Sequence, residues 1–260
     1  MKLKELMEFY ENIVPLNLQE EWDHCGLQIG KKDQEIKKIL LSLDIDHDTV
    51  DHAIEIGADL IFSHHPLIFT PLKEITDSPS VEGVVMKAIE NQISCYSSHT
   101  NLDSVHGGVN DVLAKYLGLE ETRPLAPNES SKLNGLGRVG YMEPVPAEEY
   151  LKGIKKNLHL NEIIVYGDLN RDIYKVALCG GSGSDFIKNA IEEEADIYIT
   201  GDIKYHDGEM AMDYGLLLVD IGHYESEFPV LEQVKKLFCT EYPQLEIEIY
   251  DRRKPLRKFL

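Results

Sequence analysis

Two stretches of this chain repeat one another, and that repeat constrains the fold more than any other feature. KILLSLDIDHDTVDHAIEIGADLIFSHHPL, starting at Lys38, matches KVALCGGSGSDFIKNAIEEEADIYITGDIKYHD, starting at Lys175, at a shift of 137 positions (190 − 53). At that shift Lys38, Leu41, Asp48, Ala53, Ile54, Glu55, Ala58 and Asp59 pair with Lys175, Leu178, Asp185, Ala190, Ile191, Glu192, Ala195 and Asp196. Each copy has an apolar strand, a polar loop, an amphipathic helix and a second strand ending in polar, histidine-bearing residues. The continuation repeats at a shift of 124 (223 − 99): ISCYSSHTNLD and LLLVDIGHYESE are each a strand followed by a histidine and, four residues on, a carboxylate. Both parts recur in the same order, which predicts a duplicated β-α-β-α-β unit and two α/β halves, each a sheet flanked by helices. The period is far too long for a solenoid.

At 260 residues the chain has room for one or two domains. The polar segment Glu120–Asn134, rich in Pro, Ser and Asn, reads as the connection between the halves. The expected division is therefore a first α/β domain over residues 1–122 and a second over 123–239, with 240–260 a candidate to return to the first. After the connection come a strand (GRVGYM), a helix from about Ala147 to Leu158, a strand (EIIVYGD), and a helix near Val230–Phe238. The alternating run LEIEIYD is a further strand, and the sequence leaves open which sheet it joins.

Composition mainly excludes. A net charge of −20 argues against nucleic-acid binding, which needs clustered Lys and Arg, and serves solubility. A phosphate-bearing substrate can bind only where metal ions or local basic groups reverse the acidic field. Four scattered cysteines without a CxxC pair are not a disulfide framework, and Cys95 and Cys179 lie in strand-like runs as buried thiols. The N-terminus is an amphipathic helix pattern without a signal-peptide core, and no apolar run reaches the length of a membrane span. A cytoplasmic protein without a membrane association is the expectation.

Functional residues in α/β sheets gather at the carboxyl ends of strands. Five of the ten histidines fall there, in His64-His65, His99 to Asp103, Asp202 to His206, and His223 to Glu227. Mixed imidazole and carboxylate donors suit Zn, Fe(II) or Mn, whereas Ca and Mg favour oxygen-only shells. Adjacent histidines at a strand end point in different directions, so one can serve each of two metals. A histidine and a carboxylate four residues apart share a face if the segment is helical. His223 and Glu227 meet this condition if a helix opens after Gly222; Pro229 leaves open a later start, with Glu227 held by a turn. Glu227 is the candidate to bridge two cations. His99 reads either as a ligand or as a residue orienting one, and His99, His206 and Asp202 are candidates for proton transfer or for orienting ligands. His47, His52, His106 and His159 read as surface or hydrogen-bonded residues. Gly180 to Ser184 reads as a tight strand-to-helix turn; it is neither a GxGxxG nor a Walker A motif, and its case for anion binding is weak.

These motifs resemble the GTP cyclohydrolase I type 2 homologue family, the Nif-three-like dinuclear-metal proteins. The matching segments are Trp22-Asp23-His24-Cys25-Gly26-Leu27-Gln28, Ser63-His64-His65-Pro66-Leu67, His99-Thr100-Asn101-Leu102-Asp103 and Gly107-Gly108-Val109-Asn110. They continue with Gly180-Gly181-Ser182-Gly183, Thr200-Gly201-Asp202-Ile203-Lys204-Tyr205-His206, and Gly222-His223 with Glu227, in order over nearly the whole chain. His24-Cys25 stands where Asn-Val is usual, and Ser226 where Thr is usual; neither is a ligand position. The resemblance implies two intertwined, pseudo-duplicated α/β domains with mixed sheets flanked by helices. It also implies two divalent transition-metal ions between the domains on His64, His65, Asp103, His223 and Glu227, and a homo-hexameric ring. The chain looks like a short member without the inserted domain of some relatives. The family name implies hydrolytic ring opening of GTP with formate release. Metal-dependent phosphoester cleavage and a non-catalytic metal-binding regulatory ring stand as alternatives, since fold does not establish substrate.

Overall fold

The computed structural model describes residues 1–128 and 131–251. In chain order its elements begin with α1 (Leu3–Ile13), β1 (Gly26–Ile29), β2 (Lys38–Ser42), α2 (His47–Ile56), β3 (Leu60–Ser63), α3 (Val81–Glu90), β4 (Ser94–Ser97) and α4 (Thr100–Ser104). They continue with α5 (Val109–Tyr116), β5 (Glu120–Arg123), β6 (Ala126–Asn128), β7 (Ser131–Leu136), β8 (Arg138–Pro146), α6 (Ala147–Asn157), β9 (Ile164–Tyr166) and β10 (Asp172–Ser182). The last are α7 (Ile187–Glu192), β11 (Ile197–Gly201), α8 (Tyr205–Asp213), β12 (Leu217–Asp220), α9 (His223–Glu227), α10 (Val230–Glu241) and β13 (Glu246–Ile249). The chain divides into two compact units: Met1–Asn101 together with the segment from Leu231 onward, and Leu102–Val230.

The first unit holds, among the described residues, a five-stranded sheet in the order β1-β4-β3-β2-β13. Its inner strands pair in parallel and β1 closes one edge antiparallel to β4. Strands β2, β3 and β4 are buried along almost their whole length, as expected where helices cover both faces. Side chains alternate between those faces. Leu40, Ile61 and Cys95 pack with Val50 and Ala53 of α2 and Val84, Val85 and Ala88 of α3. On the opposite face Phe62 meets Tyr10 of α1 edge-on at 4.9 Å, stacks on Tyr96 at 5.2 Å and meets Phe238 of α10 at 5.5 Å. Helix α2 starts where the Asp46 side chain caps the Thr49 amide at 2.8 Å. The C-terminal strand, whose sheet the sequence left open, runs parallel to β2; residues 252–260 of the expected returning segment lie outside the described residues.

The second unit is built on a six-stranded mixed sheet in the order β5-β8-β10-β11-β12-β9. Again the period of two sorts the core. Val176, Leu178, Ile197, Ile199, Leu217 and Val219 face α5 and α6, while Ala177, Cys179, Tyr198 and Leu218 face α7 and α8. No helix among the described residues is long and apolar enough to cross a membrane.

The structure departs from the sequence-based expectations in three places. The division falls after Asn101, not after residue 122, because α5 packs Leu113, Ala114 and Leu117 into the second unit's core. Its Asp111 also forms a buried ion pair with Arg138 of β8 at 2.7 Å. The segment Glu120–Asn134 is not a plain connection: β5 pairs antiparallel with β8, and β6 and β7 form a hairpin. Its polarity is that of exposed edge strands, where half the backbone faces water; Glu129 and Ser130 lie outside the described residues. Finally, Gly180 to Ser182 continue β10 and do not form a strand-to-helix loop.

The strand registers bear out the duplication. Leu41 pairs with Phe62 and Leu178 with Ile199, so both partners shift by 137 (178 − 41, 199 − 62). Phe62 pairs with Tyr96 and Ile199 with Val219, a third-strand shift of 123 (219 − 96). His99 to His223 is a shift of 124, so the second copy carries one extra residue before its histidine. The left-handed Gly222, at φ 92°, stands in that longer connection, immediately before α9 opens.

Candidate metal centre

In the first unit, β3 ends at Ser63 and delivers His64 and His65, and β4 ends at Ser97 two residues before His99. The Ser63 and Ser97 hydroxyls hydrogen-bond each other at 2.9 Å, and Ser63 donates to the His65 carbonyl at 2.7 Å, tying the strand ends together. The three rings cluster, with centroids 5.0 Å apart for His64 and His65, 5.3 Å for His64 and His99, and 5.6 Å for His65 and His99. One ligand nitrogen from each lies within 4.8 Å of the others, a grouping that could hold a metal ion. Each Nδ1 is held: His64 by the Ser98 carbonyl at 2.8 Å, His65 by Asp44 at 2.8 Å, His99 by Asp23 at 3.1 Å. A carbonyl oxygen can only accept, so the Nδ1 of His64 carries the proton and Nε2 is the nitrogen with a lone pair. This is how metal-binding histidines are oriented.

Asp23 does more than hold His99. Burial alone would raise its carboxyl, but hydrogen bonds from His99 and from the Thr100 amide and hydroxyl overcome it and hold Asp23 well below the usual carboxylate range. The neighbouring Cys25 receives the His99 amide on its sulfur at 3.4 Å. Burial pushes its thiol up to about 12. It is a buried thiol, and among the described residues it joins no grouping that could hold a metal.

In the second unit the donors are Asp103, His223 and Glu227. Helix α9 opens at His223 directly after Gly222 and ends before Pro229, which resolves the alternative the sequence left open. Its one turn places His223 Nε2 3.2 Å from Glu227 Oε2. His223 Nδ1 is held by Asp202 at 2.8 Å, and a carboxylate oxygen of Asp103 lies within 4.8 Å of one of Glu227, which is buried at 3% exposure. Asn110 anchors this set: its amide donates to the Asp103 carbonyl at 3.0 Å and its oxygen accepts from the Gly180 amide at 2.9 Å. Ser226 accepts from the Gly181 amide at 2.9 Å and donates to the His223 carbonyl at 2.7 Å, so serine supplies the hydroxyl at the usual threonine position. The Cys179 thiol is pushed up by burial first and then by the negative charge of Asp103 and Glu227.

Gly181 is what lets the carboxylate in. At φ +70°, a Cβ built on it would lie 2.2 Å from Glu227 Oε1 and 3.4 Å from His223 Nε2. The glycine run that reads in sequence as a turn is a space-making feature inside a strand. His206, expected near the chemistry, is instead exposed on α8 and bonds Glu209 at 2.7 Å; among the described residues it joins neither grouping. Sequence reasoning passed over Asp44, although it lies just past the carboxyl end of β2, where the strand-end rule applies. Imidazoles oriented through Nδ1, together with the buried Glu227 and half-buried Asp103 carboxylates, fit a divalent transition metal such as Zn, Fe or Mn.

Fold and site therefore define an α/β protein with a duplicated sheet unit and His/Asp/Glu groupings able to bind metal. The chain belongs to the Duf34/NIF3 (NGG1p interacting factor 3) family, which it matches over residues 1–255. It is 39% identical over 237 residues to a GTP cyclohydrolase 1 type 2 homolog from Clostridium perfringens, covering 91% of this chain and 90% of that one. A Bacillus cereus protein related to NIF3 superposes with a TM-score of 0.91 at 26% identity, over 100% of this chain and 99% of its own. Reduced HcgD from Methanocaldococcus jannaschii superposes with a TM-score of 0.83 at 36% identity, over 96% and 98%.

Proposed function

We propose that this protein is a dinuclear metal-dependent hydrolase acting on a nucleotide, with ring opening of GTP and release of formate as its reaction. In this reading His64, His65, Asp103, His223 and Glu227 would hold two divalent transition metals, with Glu227 as the shared ligand, and six copies would assemble into a ring. The observation that carries it is the matched preparation of both donor sets: His65 and His223 are each oriented through Nδ1 by an aspartate at 2.8 Å. The name of the Clostridium perfringens relative supports the choice of GTP. The chemistry that a metal pair held by these residues would supply, when bound, is a hydroxide at neutral pH and polarisation of the atom under attack.

The chain's own groups supply the rest. His99, with Nδ1 held by Asp23, presents Nε2 to give or take a proton at the substrate ring. The triphosphate must be met by metal charge, since a chain of net charge −20 otherwise repels it.

Elemental analysis of the purified protein is expected to find two transition metals per chain, and native mass spectrometry a hexamer. Incubation of the metal-loaded protein with GTP is expected to yield formate and, after oxidation, a fluorescent pterin. Phosphate released from model esters, with no formate, would move the assignment to a phosphoesterase. A second reading is favoured by the family's description, NGG1p interacting factor 3, which names an interaction: a metal-binding ring that regulates a partner without turnover. Bound metal with neither formate nor phosphate released supports it.

A further inference from the structure

The first unit displays two aromatic side chains that its core does not use. Trp22 is 59% exposed and Phe69 is 55% exposed, and their ring centroids are 5.8 Å apart with the planes tilted by 51°. Trp22 also meets the ring of His99 edge-on at 6.0 Å, so the pair is continuous with the imidazole cluster.

Neither ring is on a loosely held loop. Trp22 directly precedes Asp23, which is buried and engaged by His99 and by the Thr100 amide and hydroxyl. The same turn is tied by the Glu20 amide to the Thr100 hydroxyl at 2.9 Å and by the Cys25 amide to the Gln19 side chain at 2.8 Å. Phe69 directly follows Ile68, whose amide donates to Gln28 Oε1 at 3.0 Å and whose carbonyl accepts from Gln28 Nε2 at 3.2 Å. Two large apolar rings are thus held in water on pinned backbone, beside a set of imidazoles. Exposed apolar surface of this kind marks a binding site more often than a scattered surface residue does.

We propose that Trp22 and Phe69 form a stacking subsite for a planar, uncharged heteroaromatic ring, the base of a nucleoside, and set which ring is presented to His99. The proposal rests on the nucleotide reading above and names how the base is gripped. Charge favours this class of ligand: at a net charge of −20 the surface repels anionic groups, whereas a neutral base stacks through dispersion and desolvation that the field does not oppose. Aromatic stacking tolerates many bases, so the subsite selects for a flat ring and leaves exocyclic groups to other contacts.

Trp22 is the only tryptophan in the chain, so intrinsic emission reports this position alone. The metal-loaded full-length protein is titrated with guanosine, with GTP, and with ribose 5-phosphate and tripolyphosphate as base-free controls. Saturable quenching by guanosine and GTP, absent with both controls, is expected. Trp22→Ala, followed by calorimetry, is expected to weaken guanosine binding about tenfold to a hundredfold, with metal content unchanged and Trp22→Phe restoring most of the affinity. Phe69→Ala is expected to weaken it to a smaller degree. Emission that ignores every nucleoside, or guanosine affinity that Trp22→Ala leaves intact, overturns the subsite. So does a blue-shifted, ligand-insensitive emission with Trp22→Ala altering the oligomeric state, which would assign the rings to a contact between copies. Quenching without formate release keeps the subsite and sinks the ring opening of GTP; formate release without quenching does the reverse.

Discussion

Gly181→Ala is a sharp perturbation of the proposed site, because two costs of different kinds can be separated. The first is conformational. An alanine at φ +70° sits in the left-handed region, which costs an L-residue about 1–2 kcal/mol. The second is local displacement. The new Cβ would lie 2.2 Å from Glu227 Oε1, and real contacts of this type do not fall below 3.0 Å, so the carboxylate must retreat by at least 0.8 Å (3.0 − 2.2). Metal–ligand distances tolerate changes of about 0.2 Å, and Glu227, at 3% exposure, has no solvent to swing into. Gly215→Ala is the matched control: its φ is +71° and nothing lies within 4 Å of a built Cβ. Both variants are expected to lower Tm by about 2–8 °C. Only Gly181→Ala is expected to lose metal, with affinity reduced more than a hundredfold, beyond the 10–100-fold typical when a ligand's orienting partner is removed. The assays are metal content after dialysis against a chelator and calorimetric metal titration. A folded Gly181→Ala that retains its metals at wild-type affinity would refute the argument, and so would equal metal loss in Gly215→Ala.

Other outcomes are open to direct measurement. Asp44→Asn and Asp202→Asn, which replace the charged acceptors on His65 and His223 Nδ1 by neutral amides, are each expected to weaken metal binding about 10–100-fold without unfolding the chain, read by competition with a metallochromic chelator. Glu227→Ala is expected to lose metal; retention of both ions would end its bridging assignment. Asp111→Ala strands the buried Arg138, which still donates to the Gly135 and Gly137 carbonyls at 2.7 Å, so a loss of about 3 kcal/mol, the lower end for broken buried pairs, is expected in urea denaturation. Burial opposes the charge on Asp111, but Arg138 outweighs it and holds the carboxyl below its usual value. The pair's stabilisation is therefore complete above the ordinary carboxylate range and lost as pH falls through the lowered value; the acid limb of a stability–pH curve is expected to flatten in Asp111→Ala. A thiol reagent is expected to find Cys239 quickly and Cys25, Cys95 and Cys179 only on unfolding, since these three are buried.

What could be read from sequence follows from where side chains go. Strands such as β2, β3 and β11 are buried on both faces and announce themselves as apolar runs, and α2, α6 and α10 carry amphipathic periodicity. Ligand candidates were legible because imidazoles and carboxylates recur at strand ends in both copies. Edge strands were not: β5 to β7 are short, exposed and polar, so Glu120–Asn134 carries the composition of a loop while making ladder hydrogen bonds. The role of Gly181 was equally hidden, since a glycine that makes room for a carboxylate 46 positions on (227 − 181) looks in sequence like any turn glycine. His206 misled for the opposite reason: it lies near a strand end in sequence, but α8 turns its ring outward.

The duplication also explains why the two donor sets are complementary and not identical. Applying the 137-residue shift, Asp44 corresponds to Gly181, His64 to Gly201 and His65 to Asp202. In the first copy an acid at the end of the first strand orients a histidine at the end of the second. In the second copy that acid position is the glycine that admits Glu227, and the histidine position has become the acid that orients His223, counterpart of His99. Gly201 shows why the exchange is not free to reverse: a Cβ there would lie 2.7 Å from the His223 amide nitrogen and 2.8 Å from the Gly181 carbonyl, so no side chain can occupy the counterpart of His64. Gly201→His is therefore expected to displace α9 and abolish metal binding through His223 and Glu227, although it adds an imidazole. Asp202→His, which recreates the first copy's residue without that backbone clash, is expected to leave the chain folded and lower metal affinity only by the loss of its carboxylate. If Gly201→His bound metal as well as the parent protein, close packing of α9 on the strand ends could not be what fixes the second donor set.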